Sequence, residues 1–93
     1  MIYVDNLQDF TFSTANYLKR VSGWWCHMWS DTSVDELHEF AARLGLKLRW
    51  FQNKPKFPHY DLTPNKRVEA IRLGAKVGSL QEYLRQRREK EGT

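Results

Sequence analysis

Apolar residues occur in short runs separated by polar joints, and the period changes from run to run. Ile2-Tyr3-Val4 is a β-type run that stops at Asp5. Residues 6–22 are mixed and polar, with a turn or two of helix the only element expected, over residues 13–21. Gly23 then precedes Trp24-Trp25-Cys26-His27-Met28-Trp29, an aromatic run that reads as a second strand. Ser30-Asp31-Thr32-Ser33 is a cluster of helix-capping residues. Ser33 with Glu36 makes a capping box, in which the hydroxyl takes the amide of the third helical residue and the carboxylate reaches back. Val34, Leu37, Ala41 and Leu44 recur at helical spacing with Phe40 beside them, and Gly45 supplies a natural stop.

The second half continues the alternation. Residues 46–51 alternate apolar and basic before ending on Trp50-Phe51, the pattern of a third strand. Residues 52–59 carry Pro55 and Pro58 and read as a loop. Thr63 followed by Pro64 is a second helix start, because proline at the first helical position gives up an N–H that has no partner there. Val68, Ile71 and Leu62 offer that helix an apolar side, and Gly74 ends it. Ala75-Lys76-Val77 is a brief fourth strand. Ser79 with Glu82 opens a last helix carrying Leu80, Tyr83 and Leu84. The order β, β, α, β, α, β, α predicts an α/β fold: a small, mostly parallel four-stranded sheet with about three helices. An α+β arrangement with an antiparallel first pair is the competing architecture.

Length permits one domain, read as residues 1–84 followed by a charged C-terminal helix extension or tail over residues 85–93. The chain of 93 residues buries roughly 60–65% of its unfolded surface, enough for one modest core. Aromatics at 14% exclude a disordered chain. No apolar run approaches the ~18 residues of a membrane helix, so no membrane partner is expected. The opening segment lacks the basic start of a signal peptide. A single cysteine, Cys26, excludes an intrachain disulfide and a cysteine-rich zinc site, and a reducing cytoplasm is the expected location.

Charge divides the chain. Residues 1–46 hold three bases against six acids, a net of −3, whereas residues 47–93 hold twelve against five, a net of +7. A basic half suits an anionic partner such as a nucleotide or nucleic acid, although lysines and arginines are also ordinary on solvated helix faces.

In open α/β sheets ligands bind beyond the carboxyl ends of the strands. The expected topology places Asp5 there, with His27 and Asp31, Gln52, and the His59-Tyr60-Asp61 run. Lys66 and Arg67 stand in the first turn of the second helix. Histidines with carboxylates pass protons or hold a divalent metal, and helix starts with Lys and Arg hold phosphate. His27, His59, Asp31 and Asp61 are therefore the candidate catalytic residues, and Lys66 and Arg67 the candidate phosphate contacts. Asp5, His27 and His59 are the candidate metal ligands, with His38 open as a fourth, and Gln52 and Tyr60 line the site. Mg²⁺ or Mn²⁺ suits a carboxylate-rich set and Zn²⁺ a histidine-rich one. Each residue also has a bland reading. Asp5 can cap a turn, His27 can be packed among aromatics, Asp31 can flank a helix and Asp61 can make an Asx turn. His38 sits mid-helix, where a structural role is the simpler one. An acidic neighbour would compensate Lys66 as well as a ligand would. The four tryptophans suit core and rim better than a base-stacking platform.

Several of these runs occur together in one family. Tyr3-Val4-Asp5, Cys26-His27-Met28, Asp31-Thr32, Glu36-Leu37-His38, Phe40-Ala41, Trp50-Phe51-Gln52, His59-Tyr60-Asp61, Lys66-Arg67 and Gly74-Ala75 resemble the small bacterial and phage family catalogued as domain of unknown function 4031. The resemblance spans residues 1–84 and implies no established activity, cofactor or substrate. It implies that the His, Asp and Lys-Arg positions belong together. The aromatic stretch before Cys26 and the charged residues after Leu84 are expected to be peculiar to this chain. The expected function is a small intracellular protein, of bacterial or phage origin as the resemblance implies, acting on or binding a nucleotide or nucleic-acid phosphoester, with a metal-dependent phosphodiesterase or nuclease-type hydrolase as its enzymatic form. A non-catalytic nucleic-acid-binding module, or an accessory protein that binds a host protein through its Trp-rich stretch, stays open as the alternative.

Overall fold

The computed structural model describes residues 1–9 and 23–91. Strands β1 (Ile2–Val4), β2 (Gln8–Asp9) and β3 (Trp24–Ser30) come first. Helix α1 (Val34–Arg43), a 3-10 turn at Leu48–Trp50, β4 (Tyr60–Leu62), α2 (Pro64–Arg72), β5 (Lys76–Val77) and α3 (Leu80–Glu91) follow. The helical turn expected over residues 13–21 falls outside the described residues.

β3 organises the sheet. It is antiparallel to β1 on one edge, with Tyr3 opposite Trp29 and Val4 opposite Met28. It is antiparallel to β4 on the other edge, with Cys26, His27 and Met28 opposite Leu62, Asp61 and Tyr60. β5 lies beyond β1 and parallel to it. The short β2 extends the β1 edge, pairing Gln8 and Asp9 with Trp25 and Trp24. The sheet is therefore mixed, with one parallel pair, and the fold is α+β; the expected mostly parallel sheet is corrected. These pairings make β1, β4 and β5 run one way and β3 alone run the other. The error came from treating α1 as a parallel crossover. The long segment after it, residues 46–59, carries the chain back before β4 enters.

That segment holds the second correction. Residues 46–51 are not a strand: Leu48–Trp50 is a 3-10 turn, and Leu48 and Trp50 are exposed despite the alternation. Only its flanks, Leu46 and Phe51, pack against the core. The strand comes later, at Tyr60–Leu62, where Tyr60 and Leu62 are buried and Asp61 points outward. Leu62 thus belongs to the sheet and not to the second helix.

The helix starts follow the caps. Ser33 Oγ accepts the Glu36 N–H, Thr63 Oγ1 accepts the Lys66 N–H and Ser79 Oγ accepts the Glu82 N–H. Gly45, at φ 78°, takes the left-handed conformation that ends α1. α3 keeps its helical form through Glu91. It is tied to the loop before β4 by Arg87, which donates to the Pro55 carbonyl and the Tyr83 hydroxyl.

The sheet separates two layers. On one face Val4, Cys26, Met28, Tyr60 and Leu62 pack against Leu37, Phe40 and Ala41 of α1 and Ala70 of α2. Val4, Met28, Leu37 and Leu62, fully buried here, each contribute about 1.5–3 kcal/mol. On the other face Trp29, 1% exposed, stacks with Tyr3 and meets Phe57 and Tyr83 edge-on or tilted. His27 belongs to this aromatic face, because alternate residues of a strand point to opposite sides. Among the described residues no helix is long and apolar enough to cross a membrane.

Candidate metal-binding site

His27 and Asp61 are cross-strand partners on β3 and β4, so their side chains stand side by side on the aromatic face. His59 joins them from the position just before β4, where its main chain bridges to Gln52 through the pair of bonds that closes the loop. One ring nitrogen of His27, one of His59 and one Asp61 oxygen all lie within 4.8 Å of one another. The rings of the two histidines meet edge to face with centroids 5.1 Å apart, and His59 Nε2 is 3.4 Å from Asp61 Oδ1. His59 is buried, His27 is partly buried and Asp61 is exposed, so the cluster is open to solvent on the Asp61 side.

Both imidazoles are anchored through Nδ1. His27 Nδ1 donates to Asp5 Oδ2 at 2.7 Å. His59 Nδ1 donates to the Phe57 carbonyl at 2.8 Å, and the Phe57 ring stacks on the His59 ring with centroids 4.4 Å apart. A carboxylate and a carbonyl can only accept, so each bond puts the ring proton on Nδ1 and leaves Nε2 with its lone pair. Histidines that ligate metals are held this way, with the far nitrogen bonded to a carboxylate or carbonyl. The hydrogen bond to Asp5 raises the His27 pKa above its ordinary 6.5, with burial opposing.

The remaining expected residues are placed elsewhere. Asp5 is buried at the end of β1, with one oxygen on His27 Nδ1 and the other on the His27 main-chain N–H. Asp31 lies at the far end of β3, because the reversal of that strand carries it away from Asp5. It pairs with the Met1 ammonium at 3.1 Å. Burial opposes its ionisation, but the bonds from that ammonium and from Thr32 hold its pKa below the usual range. Glu36, expected to close a capping box, instead takes the Met1 ammonium at 2.7 Å and the Ser30 hydroxyl. His38 and Tyr60 share a hydrogen bond on the opposite face of the sheet. Gln52 contributes its main-chain bridge.

Lys66 and Arg67 are engaged within the fold. The Lys66 ammonium donates to the Leu44 carbonyl at the end of α1, 2.7 Å away, and lies 3.3 Å from Glu69. That explains a lysine in a first helical turn, since the carboxyl end of one helix offsets the amino end of another. Arg67 Nε donates to the Asp5 carbonyl at 2.9 Å.

Phe57 and Gln8 escaped the sequence reading. Phe57 supplies both a carbonyl and a stacked ring to His59. The signal for it was an aromatic two residues before a histidine in a proline-anchored loop. Gln8 donates weakly to Asp5 at 3.4 Å, and nothing in its local sequence marked it.

The residues that carry the resemblance thus form both the core and the cluster, and the match extends over residues 2–90. The chain belongs to the family described as Protein of unknown function (DUF4031). The match runs on through the charged residues after Leu84. No curated protein and no solved structure matches the chain.

Proposed function

We propose that this DUF4031 protein is a small metal-dependent hydrolase that acts on a phosphoester, in a nucleotide or a nucleic acid. The observation that carries the reading is the His27–His59–Asp61 cluster, three ligand groups within 4.8 Å with both histidines anchored through Nδ1. Three protein ligands and a solvent-open side leave room for water and substrate. A bound divalent metal would supply a Lewis acid and a water of lowered pKa. His27 and His59 would hold it through Nε2, and Asp61 would hold it or orient the water. Phosphate charge would fall to Lys54 and Lys56, exposed in the same loop as His59, because Lys66 and Arg67 already have partners within the fold. The basic second half would favour a polyanionic substrate. One buried thiol and no membrane helix among the described residues suit a cytoplasmic setting.

The test is elemental analysis of protein purified without chelator, with hydrolysis of an activated phosphodiester measured on the same samples. Wild type should hold stoichiometric metal and hydrolyse the diester. His27→Ala and His59→Ala should lose both. Wild-type protein that takes up no divalent metal would end this reading and leave non-catalytic nucleic-acid binding as the alternative.

A further inference from the structure

Asp5 meets His27 at a fault in the sheet. Val4 faces Met28 and Gln8 faces Trp25, so three residues of one strand stand against Cys26 and His27 alone. The extra residue interrupts the ladder, as a bulge does. The freed His27 N–H is taken by Asp5 Oδ1 at 2.6 Å, while Oδ2 takes Nδ1 at 2.7 Å. Asp5 is held in turn, its side chain 7% exposed and its carbonyl bonded by Arg67. Both carboxylate oxygens therefore hold one histidine, with Oδ2 also taking a weak bond from the Gln8 amide at 3.4 Å.

We propose that Asp5 is a positioning residue that fixes His27 as its Nδ1–H tautomer, making the cluster a two-nitrogen, one-oxygen site for a transition metal of the Zn²⁺ class. This rests on the metal reading above and narrows it. Mg²⁺ demands six oxygen ligands in near-ideal octahedral array and keeps several of its waters, whereas imidazole nitrogen suits zinc and its neighbours. His59 is set in the same sense by the Phe57 carbonyl, so both nitrogens are delivered with their lone pairs free. Asp5 stands behind the ligand and tunes it, as carboxylates behind metal-bound histidines do.

The variant that separates these roles is Asp5→Asn. Its carbonyl can still accept the His27 N–H, but its amide offers a donor to Nδ1 and drives the ring proton to Nε2. The first measurement is the nitrogen-15 spectrum of the histidine rings in metal-free protein, in alkaline buffer where His27 is neutral. The second is a Co²⁺ titration followed by visible absorption, repeated with Mg²⁺ in large excess. Wild type should show His27 protonated at Nδ1 and should bind Co²⁺ despite the Mg²⁺. Asp5→Asn should show the opposite tautomer and bind Co²⁺ about 10–100-fold more weakly. A wild-type His27 protonated at Nε2 would overturn the proposal even if the variant failed to fold, and would leave the hydrolase reading standing. Folded Asp5→Asn with undiminished Co²⁺ affinity would do the same. Displacement of Co²⁺ by Mg²⁺ would overturn the metal class. Wild type that binds neither ion would bring down the hydrolase reading together with this one.

Discussion

His38 and Tyr60 share a hydrogen bond of 2.9 Å on the side of the sheet away from His27. Tyr60 is opposite Met28 and faces the aliphatic layer, whereas the next pair along, His27 and Asp61, faces the aromatic one. The His38 ring also meets Phe51 edge-on, with centroids 4.6 Å apart. Burial pushes the Tyr60 hydroxyl's pKa up, so the phenol keeps its proton and needs a partner. His38 provides that partner. Three histidines thus divide into a pair clustered with Asp61 on the aromatic face and one bonded to Tyr60 on the aliphatic face.

Removing the His38 ring separates the two roles experimentally. His38→Ala leaves the buried Tyr60 hydroxyl without its partner and should lower stability by about 1–3 kcal/mol. Metal content per folded molecule should stay at the wild-type value. Urea unfolding with elemental analysis reads both quantities. Loss of metal in a folded His38→Ala variant would place His38 in the site and contradict the assignment.

The Asp5–His27 contact predicts opposite pH responses for stability and metal affinity. The folded-state pKa of His27 is raised, first by the Asp5 hydrogen bond. Its contribution to stability is therefore fully present below the ordinary value of 6.5 and is lost as pH rises through the raised value. A metal needs the Nε2 lone pair, so its affinity should climb across that same window as the proton leaves. Thermal midpoints of chelator-treated protein should fall with pH there, and Asp5→Asn should flatten the slope. The Met1 ammonium, raised from 8.0 mainly by Glu36, loses its own contribution at higher pH and is common to both proteins. An identical slope in wild type and Asp5→Asn would remove the contact from the account.

Helix positions were legible in the sequence because capping is local chemistry. Ser33, Thr63 with Pro64, and Ser79 each mark a start within a few residues, with no distant partner needed. Strand direction was not legible, because nothing in residues 24–30 states which neighbour they pair with. The alternation over residues 46–51 misled for the same reason. Period two is only a strand signal where a second strand lies alongside, and here Leu48 and Trp50 face solvent. β4 hid as three residues behind Pro58, too short to show a period. The site was half legible. His27, His59 and Asp61 carry side chains with evident chemistry. Asp5 was visible as a carboxylate, but its commitment to His27 depends on a register fault that only the pairing of β1, β2 and β3 creates.

Cys26 should be inert in the native protein. It is 1% exposed on the aliphatic face, and burial pushes its thiol pKa up to about 12. The thiolate that attacks alkylating and disulfide reagents is thus scarce at neutral pH and also enclosed. Labelling by an aromatic disulfide reagent should proceed at the rate of unfolding and become fast in denaturant. Rapid labelling of native protein would show that the β3–β4 layer opens locally.

Lys54 and Lys56 can be weighed against Lys66 by the salt dependence of nucleic-acid binding. Each phosphate neutralised by a bound cation releases counterions, so removing one true phosphate contact lowers the slope of log affinity against log salt by about 1. Lys54 and Lys56 are exposed in the loop that leads to His59, whereas the Lys66 ammonium is bonded to the Leu44 carbonyl and paired with Glu69. Lys54→Ala and Lys56→Ala should therefore each reduce the slope and leave stability nearly unchanged. Lys66→Met should leave the slope alone and lower stability by roughly 1 kcal/mol, a modest loss because its head is partly solvated. Fluorescence anisotropy with a short single-stranded oligonucleotide across a salt series, paired with thermal melts, reads both. A reduced slope in Lys66→Met with unchanged stability would move the phosphate contact to the start of α2 and away from the loop that carries His59.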